Sequence, residues 1–269
     1  MPVERNLATP RESARDSYRA PLGRALVTGA SRRVGRAVAV ELARSGLDLT
    51  LTYRSDREGC EETARRASDA AREAGYLITP TIAHLDLADI SAVVRLQESL
   101  AGLDFDAIIH NASVYRATPL EALTSADLEE MYRVEVVAPV LLTKALAGTL
   151  GRSSLSGGGS VVFFSDIHAL GRARPGFAAY LIAKSAARSA AEVLAVELAP
   201  TVRVHCIAPG VVDWPEGFEE AAKAPILART PLARAGTPDE TARLVRFLVL
   251  EASYLTGCTI RIDGGRALR

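Results

Sequence analysis

The sequence predicts an α/β fold, a single doubly wound parallel sheet with helices on both faces. Three observations carry this. Short β-rich runs alternate with longer helical stretches along the chain, the pattern of repeated strand–helix–strand units. The first strand runs straight into a glycine-bearing turn that opens a helix, Thr28-Gly29-Ala30-Ser31-Arg32-Arg33-Val34-Gly35. The 269 residues, 48% hydrophobic, suffice for one buried core, with no internal repeat or second domain.

The first strand is expected over 25–28. Residues 34–44 follow with apolar side chains at helical spacing, and Gly46 stands just past their end. A second strand spans 47–53. The charged, alanine-rich stretch 57–74 reads as a helix closed by Gly75. A third strand is expected at 77–83, a helix at 90–100 and a fourth strand at 106–109. One long helix is expected over 125–147, then a glycine-rich link at 153–159. The strand at 161–164 is strongly β-forming. A second long helix covers 176–198, and a strand 202–207. Residues 211–234 read as an irregular, proline-rich lid. A helix at 239–250 and a strand at 259–262 complete the domain, 23–269. Residues 1–22 read as a polar extension, without the apolar core of a secretory signal.

Composition narrows the partners. Basic and acidic residues balance at 32 each, which gives no reason to expect nucleic acid or an anionic membrane. Cys60, Cys206 and Cys258 are widely spaced and odd in number. They predict free thiols and a reducing compartment, hence a cytoplasmic protein. His84, His110, His168 and His205 show no metal-ligand spacing, so no metal is expected. His84, His110 and His205 read as structural, and so more readily does His168. Trp214 either walls a pocket or packs within its loop.

In a doubly wound sheet, ligands bind beyond the carboxyl ends of the strands. The turn after the first strand suits a dinucleotide pyrophosphate. Gly29 permits the tight turn, Gly35 lets the helix approach the sheet, and the backbone N–H groups of Ser31, Arg32, Arg33 and Val34 lie at a helix start. After the second strand stand Tyr53-Arg54-Ser55. A carboxylate directly there would bind the ribose of NAD; Arg54 and Ser55, with Arg32, instead suit the 2′-phosphate of NADP. Asp56 close by argues the other way, and NADP is the favoured reading. Tyr180 and Lys184 lie four apart in a predicted helix, so they share a face. An ammonium beside a phenol is expected to lower the phenol pKa and make Tyr180 a proton donor.

The ordered set Thr28-Gly29-x3-Val34-Gly35, Asn111-Ala112, Tyr180-x3-Lys184, Pro209-Gly210 and Asp263-Gly264-Gly265 resembles the short-chain dehydrogenase/reductase family, with a Rossmann-type fold, over residues 23–269. The resemblance implies that Tyr180 is the acid and that Lys184 binds the nicotinamide ribose. It implies that Asp86 and Leu87 contact adenine, that Asn111 and Ala112 line the cofactor, and that Pro209, Gly210 and Val211 approach the nicotinamide. It also implies a homotetramer or homodimer, packed through helices at 125–147 and 176–198.

Three departures point to one branch. Arg33 replaces a glycine, Ser113 follows Asn111-Ala112, and Asp166 stands where a serine usually polarises the substrate. With Thr118-Pro119-Leu120, these resemble the pteridine reductase branch. That branch implies that Ser113 and Tyr115 hold a pterin, with the aromatic ring against the nicotinamide. Arg33 is implied to reach the pyrophosphate and the polar edge of the pterin, and Asp166 to relay a proton beside Tyr180. An NADPH-dependent reduction of a pterin is the expected function. A ketone or 3-ketoacyl thioester reductase using Ser165 is the first alternative. A non-catalytic NADP-binding protein is the second, since Glu135 stands where the family's asparagine holds a water leading to the lysine.

Overall fold

The computed structural model describes residues 18–214 and 217–269. Most of the expected extension, 1–22, lies outside the described residues, as do 215 and 216 of the expected lid. The last residues of that extension run along the domain surface. Arg19 exchanges backbone hydrogen bonds with Gly75 and Leu77, and its guanidinium lies 4.0 Å from the centroid of the Tyr76 ring.

Seven parallel strands form one sheet: β1 (Gly23–Val27), β2 (Leu47–Tyr53), β3 (Thr81–His84), β4 (Ala107–His110), β5 (Gly159–Phe164), β6 (Val202–Pro209) and β7 (Thr259–Ile262). Their order is β3-β2-β1-β4-β5-β6-β7. The helices are α1 (Arg33–Arg44), α2 (Arg57–Glu73), α3 (Ile90–Ser99), α4 (Ser125–Tyr132), α5 (Ala138–Leu150), α6 (Ala178–Glu197), α7 (Glu220–Ala228) and α8 (Pro238–Leu250). Within β1, Ala25 and Val27 pack under α1 and α8, while Leu26 packs with residues of α3 and α5 on the other face. Both faces are covered, so the inner strands are apolar throughout rather than alternating. Strand order reverses between β1 and β4, which opens a crevice at their carboxyl ends.

Three expected elements differ. The third strand begins at Thr81, not at residue 77. The N–H of Thr79 donates to Asp48 Oδ1 (3.0 Å), and Pro80 has no N–H to give a ladder. The expected helix at 125–147 is two helices joined by a π turn, Arg133–Val137. Hydropathy does not reveal the extra residue in that turn, which carries the buried Glu135. The expected irregular stretch 211–234 contains α7, with Pro225 inside it.

Two buried histidines make the fold acid-sensitive. Burial pushes the His110 imidazole down to about 3; burial, with Arg203 adding, pushes His205 down to about 4. The unfolded chain takes up protons at both near pH 6.5, and the native chain does not. Stability is therefore fully present above about pH 6.5 and is lost as pH falls towards 4. At pH 5 the loss is about 2 kcal/mol for each histidine. The urea midpoint is expected to drop steeply between pH 6.5 and 4.5; a midpoint constant across that window contradicts this.

Candidate active site

A cavity of about 800 Å³ opens at the carboxyl ends of β1, β4, β5 and β6. Every cofactor and substrate residue expected from the sequence lines it. At its floor is the turn between β1 and α1. Gly29 has φ +66°, and a Cβ there would lie 2.8 Å from the Cα of Ala112. Asn111 holds the turn closed: its amide donates to the carbonyls of Thr28 (3.0 Å) and Gly29 (2.9 Å). The Ala112 N–H donates to Thr28 Oγ1 (3.1 Å). Asn111 and Ala112 thus build the phosphate turn as well as lining the cavity.

The start of α1 carries no side-chain cap, as is also true of α5, α6 and α7, but the N–H groups of α1 alone begin at the phosphate turn. Ser31, Arg32, Arg33 and Val34 border the cavity there. Uncapped N–H groups at a helix start fit an anion, and a pyrophosphate would serve as the cap. Beyond β2, Arg54 and Ser55 form an exposed rim with Arg32. Asp56 is directed elsewhere, accepting from the Gly59 N–H (2.8 Å) as the cap of α2. Asp86 accepts from the Ala88 N–H (2.9 Å), so it shapes its own turn, and Leu87 is buried beside it. Pro209, Gly210 and Val211 form the opposite wall.

Arg33 departs from its expected use. Its φ is +53°, a left-handed conformation costing about 1–2 kcal/mol in a non-glycine residue. Its guanidinium meets Asp213, with Nε to Oδ2 at 2.7 Å and Nη2 to the carbonyl at 3.3 Å. It therefore ties the phosphate turn to the loop after β6. Trp214, next in that loop, lines the cavity.

The reacting end is assembled by β5, the π turn and α6. The Tyr180 hydroxyl donates to Asp166 Oδ2 (3.1 Å), and Asp166 Oδ1 accepts the His168 N–H (2.8 Å). Ser165 is turned away: its hydroxyl donates to the carbonyl of Lys184 (2.9 Å). The third position beside Tyr180 is thus a carboxyl group. Lys184 Nζ is buried, donating to the carbonyl of Phe164 (2.9 Å) and pairing with Glu135 (2.8 Å). The hydroxyl of Ser113 donates to the other oxygen of Glu135, so it supports Glu135 where the resemblance implied a substrate contact.

This arrangement reverses the expected direction for Tyr180. Burial, then Asp166 and Glu135, push its phenol well above the ordinary value. Lys184 does not offset them, because its charge is paired with Glu135 inside the protein. Tyr115 stacks on Phe177, with centroids 4.9 Å apart and planes at 20°, and meets the Tyr180 ring edge-on at 5.1 Å. Phe177 was not singled out from the sequence. Nor were Arg174 and Arg266, which also line this end; no motif or spacing marks them.

A family model described as enoyl-(acyl carrier protein) reductase matches residues 29–267. The human dehydrogenase/reductase SDR family member 4 is 32% identical over 259 residues, 91% of this chain and 87% of the relative. The chain belongs to the short-chain dehydrogenase/reductase family. It is also 30% identical to the 3-oxoacyl-[acyl-carrier-protein] reductase FabG of Aggregatibacter actinomycetemcomitans, over 89% of this chain and 97% of that one. Among solved structures it resembles the FolM alternative dihydrofolate reductase 1 of Brucella canis complexed with NADP. That match has a TM-score of 0.80 and 28% identity, covering 92% of this chain and 94% of that chain. Like its family, this protein is an oxidoreductase of small molecules, and the family implies a nicotinamide dinucleotide. Among the described residues no helix is long and apolar enough to cross a membrane.

Proposed function

We propose that the protein is an NADPH-dependent reductase of a pterin, acting at a ring C=N bond. The observation that carries this is the carboxyl group of Asp166 bonded to Tyr180, with the hydroxyl of Ser165 turned into α6. Reduction of a C=O bond calls for a neutral donor to a developing oxyanion, and a carboxylate opposes that charge. Reduction of C=N instead leaves a nitrogen that must be protonated. Tyr115, exposed at the cavity mouth, offers a flat surface to a pterin ring. The FolM relative with bound NADP fits the same reading.

When bound, the cofactor supplies the hydride. The uncapped start of α1 would hold its pyrophosphate, and Lys184, beyond its bonds to Phe164 and Glu135, would have one N–H left for a ribose hydroxyl. As the ring carbon takes the hydride, the π pair moves to nitrogen, which takes the proton of the Tyr180 hydroxyl. Water entering the cavity returns a proton to the phenolate. Burial, with Asp166 and Glu135, keeps that proton in place at neutral pH, so the donor is in its protonated form before hydride transfer. Exposed Ile182, Val193 and Val196 along α6 support packing of this helix across a symmetry axis in a homodimer or homotetramer.

The test is turnover of NADPH with dihydrobiopterin, dihydromonapterin and dihydrofolate, beside acetoacetyl thioesters. Oxidation of NADPH by a pterin supports the reading; turnover of thioesters alone excludes it. The FabG relative makes 3-ketoacyl reduction the second reading. That reading needs Ser165, so it predicts Ser165→Ala to be more damaging than Asp166→Ala. Cofactor choice has its own test. Arg54→Asp removes a cation from the rim and adds an anion, and is expected to reverse the preference for NADPH over NADH. An unchanged ratio of the two KM values places the 2′-phosphate elsewhere.

A further inference from the structure

The reacting end of the cavity holds two cations that the mechanism does not use. Arg174 donates to the Tyr115 hydroxyl (2.9 Å) and lies over the Phe177 ring, 4.5 Å from its centroid. Arg266 begins the short turn Arg266–Leu268, just past Gly264-Gly265. The backbone there is fixed by Asp263, whose carboxylate accepts from the N–H groups of Gly265 (2.9 Å) and Ala267 (2.7 Å). The chain therefore holds Arg266 from a rigid turn.

Among the described residues neither guanidinium has an ion-pair partner. Arg33, on the same cavity, is paired with Asp213. The Arg266 guanidinium is partly withdrawn from water, and burial, then the nearness of Arg174, lowers its affinity for a proton. The carboxylate that faces it, Asp166, already accepts from Tyr180 and from the His168 N–H. Two neighbouring cations, one half-buried and without a carboxylate of its own, are stabilised by an anion that meets both. Their neighbours are Asp166 and Tyr115, so the anion lies at the substrate end and not at the phosphate turn.

We infer that the substrate carries an anionic oxygen group, carboxylate or phosphate, which Arg174 and Arg266 hold at the cavity mouth. The inference deepens the proposed function: within that reading the preferred pterin has a charged tail, not a neutral hydroxylated one. Arg174 links the two ends of such a ligand, since it positions Tyr115 as well as facing the anion.

Charge-matched ligands test this. Trp214, the one tryptophan of the sequence, lines the cavity and reports binding. Full-length protein saturated with NADP⁺ is titrated with folate against its dimethyl ester, and with neopterin monophosphate against neopterin. Acetoacetyl-coenzyme A against the N-acetylcysteamine thioester forms a third pair outside the pterins. The charged member of at least one pair is expected to bind about 10- to 100-fold more tightly. That preference is expected to vanish in Arg174→Met/Arg266→Met, which keeps apolar stems in place, while NADP⁺ affinity is unchanged. The folate and neopterin pairs separate carboxylate from phosphate. A charge preference among the thioesters, with no pterin turned over, removes the pterin reading and leaves the anion site standing. Pterins turned over, with no charge preference in any of the three pairs, leave the pterin reading and remove the anion site. Absence of a charge preference in every pair, or its survival in the double variant, overturns the inference.

Discussion

Tyr180→Phe is expected to lower kcat for reduction by about 10²- to 10⁴-fold, with little change in NADPH affinity. The substitution keeps the ring that packs edge-on against Tyr115 and removes only the hydroxyl that donates to Asp166. Stopped-flow measurement of NADPH oxidation, with fluorescence titration of NADPH, separates the two quantities. The pH profile carries a second signature. Only the protonated phenol donates, and burial with Asp166 and Glu135 holds it protonated well past the ordinary tyrosine value. The reductive rate is therefore not expected to fall through loss of this proton between pH 7 and about 10. Oxidation of the reduced product needs the phenolate and is expected to be slow at pH 7 and to rise with pH. A reductive rate that falls with an apparent pKa near 7, assigned to Tyr180 by its loss in Tyr180→Phe, would contradict this account.

Glu135→Ala is expected to destabilise the fold by about 3–5 kcal/mol, the cost of stranding one partner of a buried ion pair. Lys184 and Glu135 are almost wholly inaccessible, at 3% and 4% side-chain exposure. Removing Glu135 leaves the ammonium with the Phe164 carbonyl and no counter-charge. Glu135→Gln keeps one acceptor oxygen for Lys184, and its NH2 can donate to the Ser113 hydroxyl in place of accepting from it, so it is expected to cost less. It also removes one of the charges that raise the phenol of Tyr180. The alkaline limb of the reductive profile is therefore expected to move to lower pH in Glu135→Gln. Urea unfolding of both variants and the pH profile of the Gln variant check these outcomes. Glu135→Leu/Lys184→Met restores an uncharged interior, and is expected to recover much of the stability with no recovery of activity. Equal stability of Glu135→Ala and the parent protein would mean that the pair adds nothing to the fold.

Local chemistry was legible where one short segment carries it. The turn around Gly29 and Gly35, the pairing of Tyr180 with Lys184 on one helix, and the run of parallel strands all follow from spacing, periodicity and chain order. Asp166 was legible as a carboxyl group in an unusual position. Whether Ser165 or Asp166 faces Tyr180 was not legible, because adjacent residues leaving a strand differ only in the direction of their side chains. The structure turns Ser165 to the carbonyl of Lys184. The break in the helix at Glu135 was hidden because a π turn keeps helical hydropathy while adding one residue to a single turn.

The sequence by itself determined the doubly wound sheet, the glycine-bearing turn that opens its first helix and the pairing of Tyr180 with Lys184 on one helix. These depend on patterns within a few residues and on the order of strands and helices. Only the tertiary structure decided the electrostatics of the site. Glu135 pairs with Lys184 across 49 positions of sequence (184 less 135), and Arg33 reaches Asp213 across 180. Arg174 and Arg266, 92 positions apart in sequence (266 less 174), line one cavity. Coulomb energies depend on distance and burial, and neither can be read from chain order. Tyr180 shows the consequence: a lysine four residues away predicted a lowered pKa, whereas burial, then Asp166 and Glu135 brought in by other elements, raise it.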